Sequence, residues 1–294
     1  MIHELATAYT ICELCEVYEV SRSGYYAWRR GGRGKRAQAN AVLSRQIAAI
    51  HKESRKTYGS PRITRELAKQ GIRCGHNRVA RLMRAQGIRG VQKGRFHPKT
   101  TDSHHDGSIA PNRLQDVVLT APNQVWVTDI TYIPTDEGWL YLVAFMDFMG
   151  RVVKGWTTSD SLKADFVVDA FLQAVFRHKP AAGLIVHSDR GSQYASKMFR
   201  NQLEAHGALA SMGRTGNCYD NAAMESFWAT LKCELGITRP FKTKQEARLA
   251  IFDYIETFYN RRRLHSAIGY QAPIDFEAQI MAKTIHPCMS AISG

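Results

Sequence analysis

Three acidic residues could do chemistry together, and the first of them stands where its neighbours make a charge expensive. Asp129 lies in QVWVTDITYIP (124–134). With the two-residue period of a strand, Val125, Val127, Asp129, Thr131 and Ile133 share one face, and Trp126, Thr128, Ile130 and Tyr132 the other. Both faces are largely apolar, so burial on both sides is expected, where an ionised carboxylate is costly unless compensated. Asp189 ends LIVHSD (184–189), at the C-terminal end of a second short strand, where α/β sheets place functional groups. It could equally brace the Gly-Ser turn that follows. Glu225 lies in NCYDNAAMESFWATLKCELG. On a helical wheel Met224, Phe227, Trp228, Leu231 and Leu235 form an apolar stripe, while Asn221 and Lys232 fall within about 40° of Glu225, a face that taken alone reads as an ordinary solvated one. Thirty-five residues separate Asp189 from Glu225. If the fold brings the three carboxylates together, they make an all-oxygen site suited to Mg2+, with Mn2+ able to substitute, rather than to zinc. Two such ions, about 3.5–4 Å apart, stabilise both the attacking and leaving oxygens of an in-line phosphoryl displacement.

Other residues compete for these roles. Asp147, in AFMDFMGR, sits beside an expected turn and reads as structural, and Asp220 reads as an N-cap of the Glu225 helix. Cys12-x-x-Cys15 has no second Cys pair or His-x-His partner at zinc spacing, so it reads as two small residues on a helix face. Cys218 has no ordered His partner, and there is no G-x-S-x-G elbow, Walker loop or H-E-x-x-H.

The elements that must position the trio follow from periodicity. VWVTDITYI, LYLVAFMDF (140–148) and RVVKGWTTS (151–159) read as three antiparallel strands joined by tight turns at EG and MG. Residues 163–177 read as a helix, LIVHSD as a strand, SKMFRNQLEAHG as a helix and ALASM as a strand. Helices at 220–235 and 243–260 and a basic loop, YNRRRLHSAIGY, close the chain. The order predicts a mixed sheet with helices packed on it, an α/β class. Upstream the pattern is helical. SPRITRELAKQG carries Ser60 as an expected N-cap and Pro61 in the first turn; IRCG connects it to HNRVARLMRAQG. Two short helices across a turn predict a helix-turn-helix over about 58–90, with His76, Asn77, Arg78 and Arg81 offered to the major groove or to phosphates. Residues 10–30, ending SRSGYYAWRR, read as another helical unit.

Charge is segregated along the chain. Residues 1–113 hold 22 Lys/Arg against 8 Asp/Glu, whereas residues 114–294 hold 18 of each. The whole excess of +14 sits in front, which favours a polyanion such as nucleic acid. Arg261, Arg262, Arg263 and His265 of the C-terminal basic loop are further expected DNA contacts. No run of about 18 apolar residues suggests a membrane span, and glutamates occupy the N-terminus where a signal peptide would be basic and then apolar, so a cytoplasmic, nucleoid-associated protein is expected. The expected division is a helical DNA-binding region (1–93), a Gly/Pro/Ser-rich linker (94–117), a catalytic core (118–235) and a helical, basic extension (236–294).

WVTDITYI, HSDRGSQY, the 35-residue spacing to Glu225, and Lys232 seven residues later together resemble the core of retroviral-integrase-like DDE transposases. SRSGYYAW, YGSPRI, NCYDNAAMESFW and YNRRRLHSAIGYQAP extend the resemblance, over almost the whole chain, to the OrfB-type transposases of bacterial insertion sequences. The resemblance implies an RNase H-like catalytic core. It implies two Mg2+ ions held by Asp129, Asp189 and Glu225, with Asp129 shared, and Lys232 against DNA near the cut. It implies that the N-terminal helices bind terminal inverted repeats, that water frees a 3′-OH, and that this hydroxyl attacks a second phosphodiester in the other end or in target DNA. It also implies self-association on DNA and an upstream OrfA-type partner or fusion, since this chain begins at the OrfB portion and shows no leucine heptads. Two other classes stay open: a non-enzymatic DNA-binding regulator, and an RNase H-like nuclease that hydrolyses without joining.

Overall fold

The computed structural model describes residues 2–29, 34–91, 109–115, 117–213, 222–237 and 239–285. They fall into two units, Met1–Gly90 and Val91–Gly294. Among the described residues no helix is long and apolar enough to cross a membrane.

The first unit is all helical: α1 (Ile2–Leu5), α2 (Ile11–Val17), α3 (Arg22–Arg29), α4 (Lys35–Glu53), α5 (Ser60–Lys69) and α6 (His76–Ala85). The helix pair expected at 58–90 is α5–α6, with one local shift. Gly59 occupies the N-cap, Ser60 and Pro61 enter the first turn, and the Ser60 hydroxyl meets Nε2 of His76 at 2.8 Å. The chain leaves α5 through Gly71 at φ +78°, a conformation cheap only without a Cβ, and the Ile72 N–H closes the helix end on the Leu67 carbonyl at 2.9 Å. Helix α4 went unforeseen in the sequence. Its Leu43, Ile47 and Ile50 lie at i, i+4 and i+7 and are buried where α4 packs on α5 and α6, which bury Ile63 and Leu67 and Val79, Leu82 and Met83.

In the second unit, β1 (Val125–Thr135), β2 (Gly138–Asp147) and β3 (Val153–Ser159) form an antiparallel meander. Helix α7 (Asp165–His178) crosses over to β4 (Ile185–Ser188), which runs parallel to β1. Short helices α8 (Ser192–Ala195) and α9 (Lys197–Ala205) lead to β5 (Leu209–Met212), parallel to β4. The sheet order is β3-β2-β1-β4-β5. Helices α10 (Ala222–Glu234) and α11 (Lys244–Phe252) follow. A π-helical segment Asp253–Tyr259, a 3-10 turn Ser266–Ile268 and α12 (Pro273–Ile285) close the described chain.

The main core lies between the sheet and α7 and α9, around Trp126, Phe145, Phe171, Val186 and Phe199. At Gly155 of β3 the sheet touches α7 so closely that an added Cβ would stand 2.7 Å from the Ala174 Cβ and 2.8 Å from its backbone nitrogen. Gly155→Ala should therefore lower stability by about 1–3 kcal/mol through overpacking, read as a lower denaturant midpoint at unchanged slope.

Two side chains tie the C-terminal segments to β3, the edge strand. The Asn260 amide accepts the Val153 N–H (2.9 Å) and donates to the Val153 carbonyl (3.0 Å), standing in for a strand partner. The buried Lys154 ammonium reaches both oxygens of Glu277 on α12 at 2.7 Å. The expected linker is likewise docked where it is described. Ala110 packs on the core, the Arg113 N–H donates to Ser211 Oγ (2.9 Å), and its Nε donates to the Ala210 carbonyl (3.3 Å). Residues 109–113 therefore belong to this unit rather than to a free tether, because they satisfy polar groups beside β5. The preceding linker residues, 94–108, lie outside the described residues.

Candidate active site

Parallel pairing of β1 with β4 places two of the acids side by side. The register pairs Val125 with Ile185, Trp126 with Val186 and Val127 with His187. Two residues beyond the last pair on each strand stand Asp129 and Asp189. Helix α10 packs on β1 and contributes the third acid. Its buried stripe of Met224, Phe227, Trp228 and Leu231 is the one expected; Leu235 is only half-buried, and Thr230 takes a buried position. One turn after Glu225, the Trp228 indole N–H donates to Asp129 Oδ2 at 3.0 Å. This bond fixes the rotation of α10 about its axis and sets the face of Glu225 towards Asp129.

The electrostatics report the same convergence. Burial, then the charge of Asp189, and more weakly that of Glu225, push the Asp129 carboxyl up to about 8, against the opposing hydrogen bonds from Ile130 and Trp228. Asp189 keeps the bracing role weighed from the sequence as well, its Oδ1 accepting the Gly191 N–H at 3.0 Å. Burial lowers the Lys232 ammonium while the Asp129 carboxylate supports its charge, which sets Lys232 within reach of the trio. The Tyr194 phenol, missed in the sequence because it reads as core, meets the Thr128 hydroxyl at 3.2 Å beneath the acids. Burial and the charges of Asp129 and Asp189 raise it well above an ordinary tyrosine. The trio is thus within mutual electrostatic range but not drawn tight. Among the described residues no group of three or more His, Cys, Asp or Glu side chains stands at metal-ligand spacing. Asn221, Cys218 and Asp220 lie outside the described residues.

Asp147, the rival acid, is structural. It is buried and accepts the N–H groups of Asn123 (2.6 Å) and Gly150 (2.5 Å), which spends one oxygen on the segment leading into β1 and the other on the β2–β3 turn. Cys15 is buried and Cys12 exposed, in line with two small residues on a helix.

Residues 120–218 match the integrase core domain family, residues 206–273 match a second profile of the same description, and residues 37–96 match an HTH-like domain. The chain is 44% identical over 264 residues to a 31 kDa protein of insertion element IS600 from Shigella sonnei, covering 90% of this chain and 97% of that one. It is 44% identical over 238 residues to the transposase of insertion sequence element IS904 from Lactococcus lactis, covering 80% and 93%. The chain belongs to the integrase-core transposases of bacterial insertion sequences. The transposase also aligns with a structure of the HTLV-2 integrase catalytic core domain in complex with magnesium, at 16% identity and a TM-score of 0.43, over 53% of this chain and 97% of that one. The five-stranded mixed sheet with flanking helices in one unit, and a helical HTH-like region in the other, are the RNase H-like class expected.

The residues expected to touch DNA are sorted by the transposase fold. His76, Asn77 and Arg81 are exposed on α6, His76 with its Ser60 partner. Arg78 instead sends Nε and Nη2 to Asn40 Oδ1 (3.0 and 2.8 Å), bracing α6 on α4. Arg261 and Arg262 are exposed, and His265 is half-buried with its Nδ1 accepting the Ala267 N–H. Arg263 overturns its expectation. Its side chain is 3% exposed and held by Glu234 in a bidentate pair, so it faces inward and is spent on the fold.

Proposed function

We propose that the transposase cuts the ends of its own insertion sequence and joins the freed strand to a second phosphodiester, with Asp129, Asp189 and Glu225 as the metal-holding residues. The observation that carries this reading is the β1–β4 register, which sets Asp129 beside Asp189 while the Trp228 bond turns the Glu225 face of α10 onto them. A carboxyl pushed up to about 8 by burial first, and then by the charges of Asp189 and, more weakly, Glu225, is a position that a cation would stabilise, and an all-oxygen set suits Mg2+ or Mn2+. The three would hold two ions, with Asp129 shared. When bound, the ions supply charge stabilisation to the attacking and leaving oxygens. Lys232 would hold a DNA phosphate at the edge of the trio, and Trp228 keeps Asp129 in a single orientation. In the first step one P–O bond forms to water as another breaks, leaving a 3′-OH. In the second that hydroxyl displaces another 3′ oxygen, so the number of phosphodiesters is conserved and no enzyme-linked intermediate is needed.

In the same reading the first unit, with Asn77 and Arg81, grips the terminal inverted repeats, and Arg261 and Arg262 meet DNA from the C-terminal extension. Self-association on DNA, an OrfA-type partner or fusion, and a cytoplasmic site of action at the nucleoid belong to this proposal. The test is incubation of the chain, and of its fusion to any upstream overlapping frame, with end DNA and Mg2+ or Mn2+. Nicked and joined products are expected on a denaturing gel. Hydrolysis without joining would make it a nuclease, and specific binding without cleavage a regulator.

Trp228→Phe keeps the ring packed on Phe227 and removes only the donor. It should lower the cleavage rate about ten- to a hundredfold, as loss of a partner that orients a metal ligand does, with an unfolding midpoint close to that of the parent. An unchanged rate would leave Trp228 a packing residue only.

A further inference from the structure

We infer that α2 and α3 form a second helix-turn-helix, with α3 as a duplex-DNA-contacting helix. The matched HTH-like domain begins only at residue 37 and does not reach it. The inference deepens the proposed binding of element ends and rests on it.

The local construction is firm. Thr10 and Glu13 close a capping box on α2: the Thr10 N–H donates to the Glu13 carboxylate at 3.0 Å, and the Glu13 N–H to the Thr10 hydroxyl at 3.3 Å. The connection to α3 is four residues, Tyr18–Ser21. Glu19 turns the chain at φ +50°, and the Val20 N–H closes on the Cys15 carbonyl at 2.9 Å. The Ser21 hydroxyl then accepts the Gly24 N–H at 3.1 Å and starts α3. Helix α5, which opens the pair inside the matched domain, ends in the same way. There a left-handed residue, Gly71, precedes an apolar one, Ile72, whose N–H returns five residues. The unit therefore repeats one device: two short helices locked across a tight turn.

Helix α3 is displayed rather than packed. Only Tyr25 is buried on it; α2, with which α3 is in contact, buries Leu14 and Cys15, whereas Trp28 is 67% exposed and Tyr26 42%. With Tyr25 set inward, the wheel puts Ser23 and Ala27 within about 20° of the outward direction. Small side chains there let a helix sink into a major groove. Arg22 and Arg29 fall about 40–60° from Tyr25 on one flank, on the side away from Ser23 and Ala27; both are exposed, and side chains of that length reach phosphates beside the groove rather than its floor.

Charge identifies the occupant. From residue 20 to residue 52 the chain carries eight Lys/Arg and no Asp or Glu. The acids of this region, Glu13, Glu16 and Glu19, lie on α2 and in the turn. Two of the eight, Arg22 and Arg29, stand exposed on α3, whereas the charged residues of α2 are both acids, so a polyanion favours α3 over α2. Duplex DNA fits both this polarity and the small side chains of the outward face.

The test uses the full chain and a fluorescent duplex copied from the DNA immediately flanking its coding region, with a scrambled duplex as the second probe. Binding is followed by anisotropy at several salt concentrations for the parent, Arg22→Ala/Arg29→Ala, Ala27→Glu and Arg81→Ala. We expect the double variant to bind about tenfold or more weakly and to lose about 2 from the slope of log K against log salt, since each phosphate contact contributes about one. Ala27→Glu should weaken binding at least as much by setting a carboxylate on the groove face. Both changes are at exposed positions, so circular dichroism should match the parent. If Arg81→Ala weakens binding while the two α3 variants leave affinity and slope at parental values, the inference is overturned and the function above stands. If the parent shows no preference for the flanking duplex, end recognition fails, and the α3 variants must still reduce the salt slope on the scrambled duplex or the inference falls as well.

Discussion

Asp129→Asn, Asp189→Asn and Glu225→Gln, each alone, are expected to remove both nicking and joining, by about a thousandfold or more, because several kcal/mol of transition-state stabilisation rests on the ions the three acids would hold. The amides keep the shape of each side chain and remove only its charge, so binding to DNA should survive. Asp129→Asn carries a second, opposite signature. Burial and two neighbouring acids make its ionised carboxylate unfavourable in the folded protein. The neutral amide relieves that penalty, so without divalent ion the variant should unfold at a temperature no lower than the parent's. A gain or parity in stability with a total loss of strand transfer would be the mark of a functional charge held at the expense of the fold. Intact nicking and joining in all three variants would remove the trio from the mechanism. A uniform loss of stability in all three would reduce them to structural residues.

What could be read in the sequence, and what could not, divides along the distance over which residues interact. The meander was legible because alternation and turn residues are local: Gly138 at φ +97° opens β2 where the EG turn was expected. The buried stripe of α10 was legible for the same reason, since Met224, Phe227, Trp228 and Leu231 are neighbours on one helix. The role of Trp228 was not, because the apolar stripe hides one polar edge, and its acceptor lies 99 residues upstream. Helix α4 was missed because Ala, Gln and Arg dilute the spacing of its three buried residues. Lys154, a charge in the middle of a strand, became intelligible only through Glu277, 123 residues away. Arg263 was misread on the same ground, since three consecutive arginines look alike until tertiary structure supplies one of them with a partner.

That partner makes the second large prediction. The Arg263 guanidinium and the Glu234 carboxylate are 3% and 6% exposed, with Nε–Oε2 and Nη2–Oε1 distances of 2.8 Å. The Tyr254 hydroxyl donates to the same carboxylate at 2.9 Å, and the guanidinium stands 5.8 Å over the Tyr259 ring. Burial works against the charge on Arg263, and the Glu234 hydrogen bonds and charge more than restore it. Removing one partner leaves the other charged and buried, which costs about 3–5 kcal/mol, whereas replacing both with apolar residues recovers much of that loss. Arg263→Met and Glu234→Leu should each lower the denaturant midpoint sharply, and the double variant should lie well above the sum of the two. Arg261→Ala and Arg262→Ala, on the exposed side of the same run, should change stability by no more than about 0.5 kcal/mol and act on DNA affinity instead. Glu234 lies nine residues after Glu225 on α10. The pair therefore anchors the far end of the helix whose other end carries the third acid, and its loss should reduce strand transfer even at temperatures where the variant remains folded. Should Arg263→Met unfold like the parent and weaken DNA binding as Arg261→Ala does, the inward placement of Arg263 would be refuted, and with it the anchoring of α10 from below.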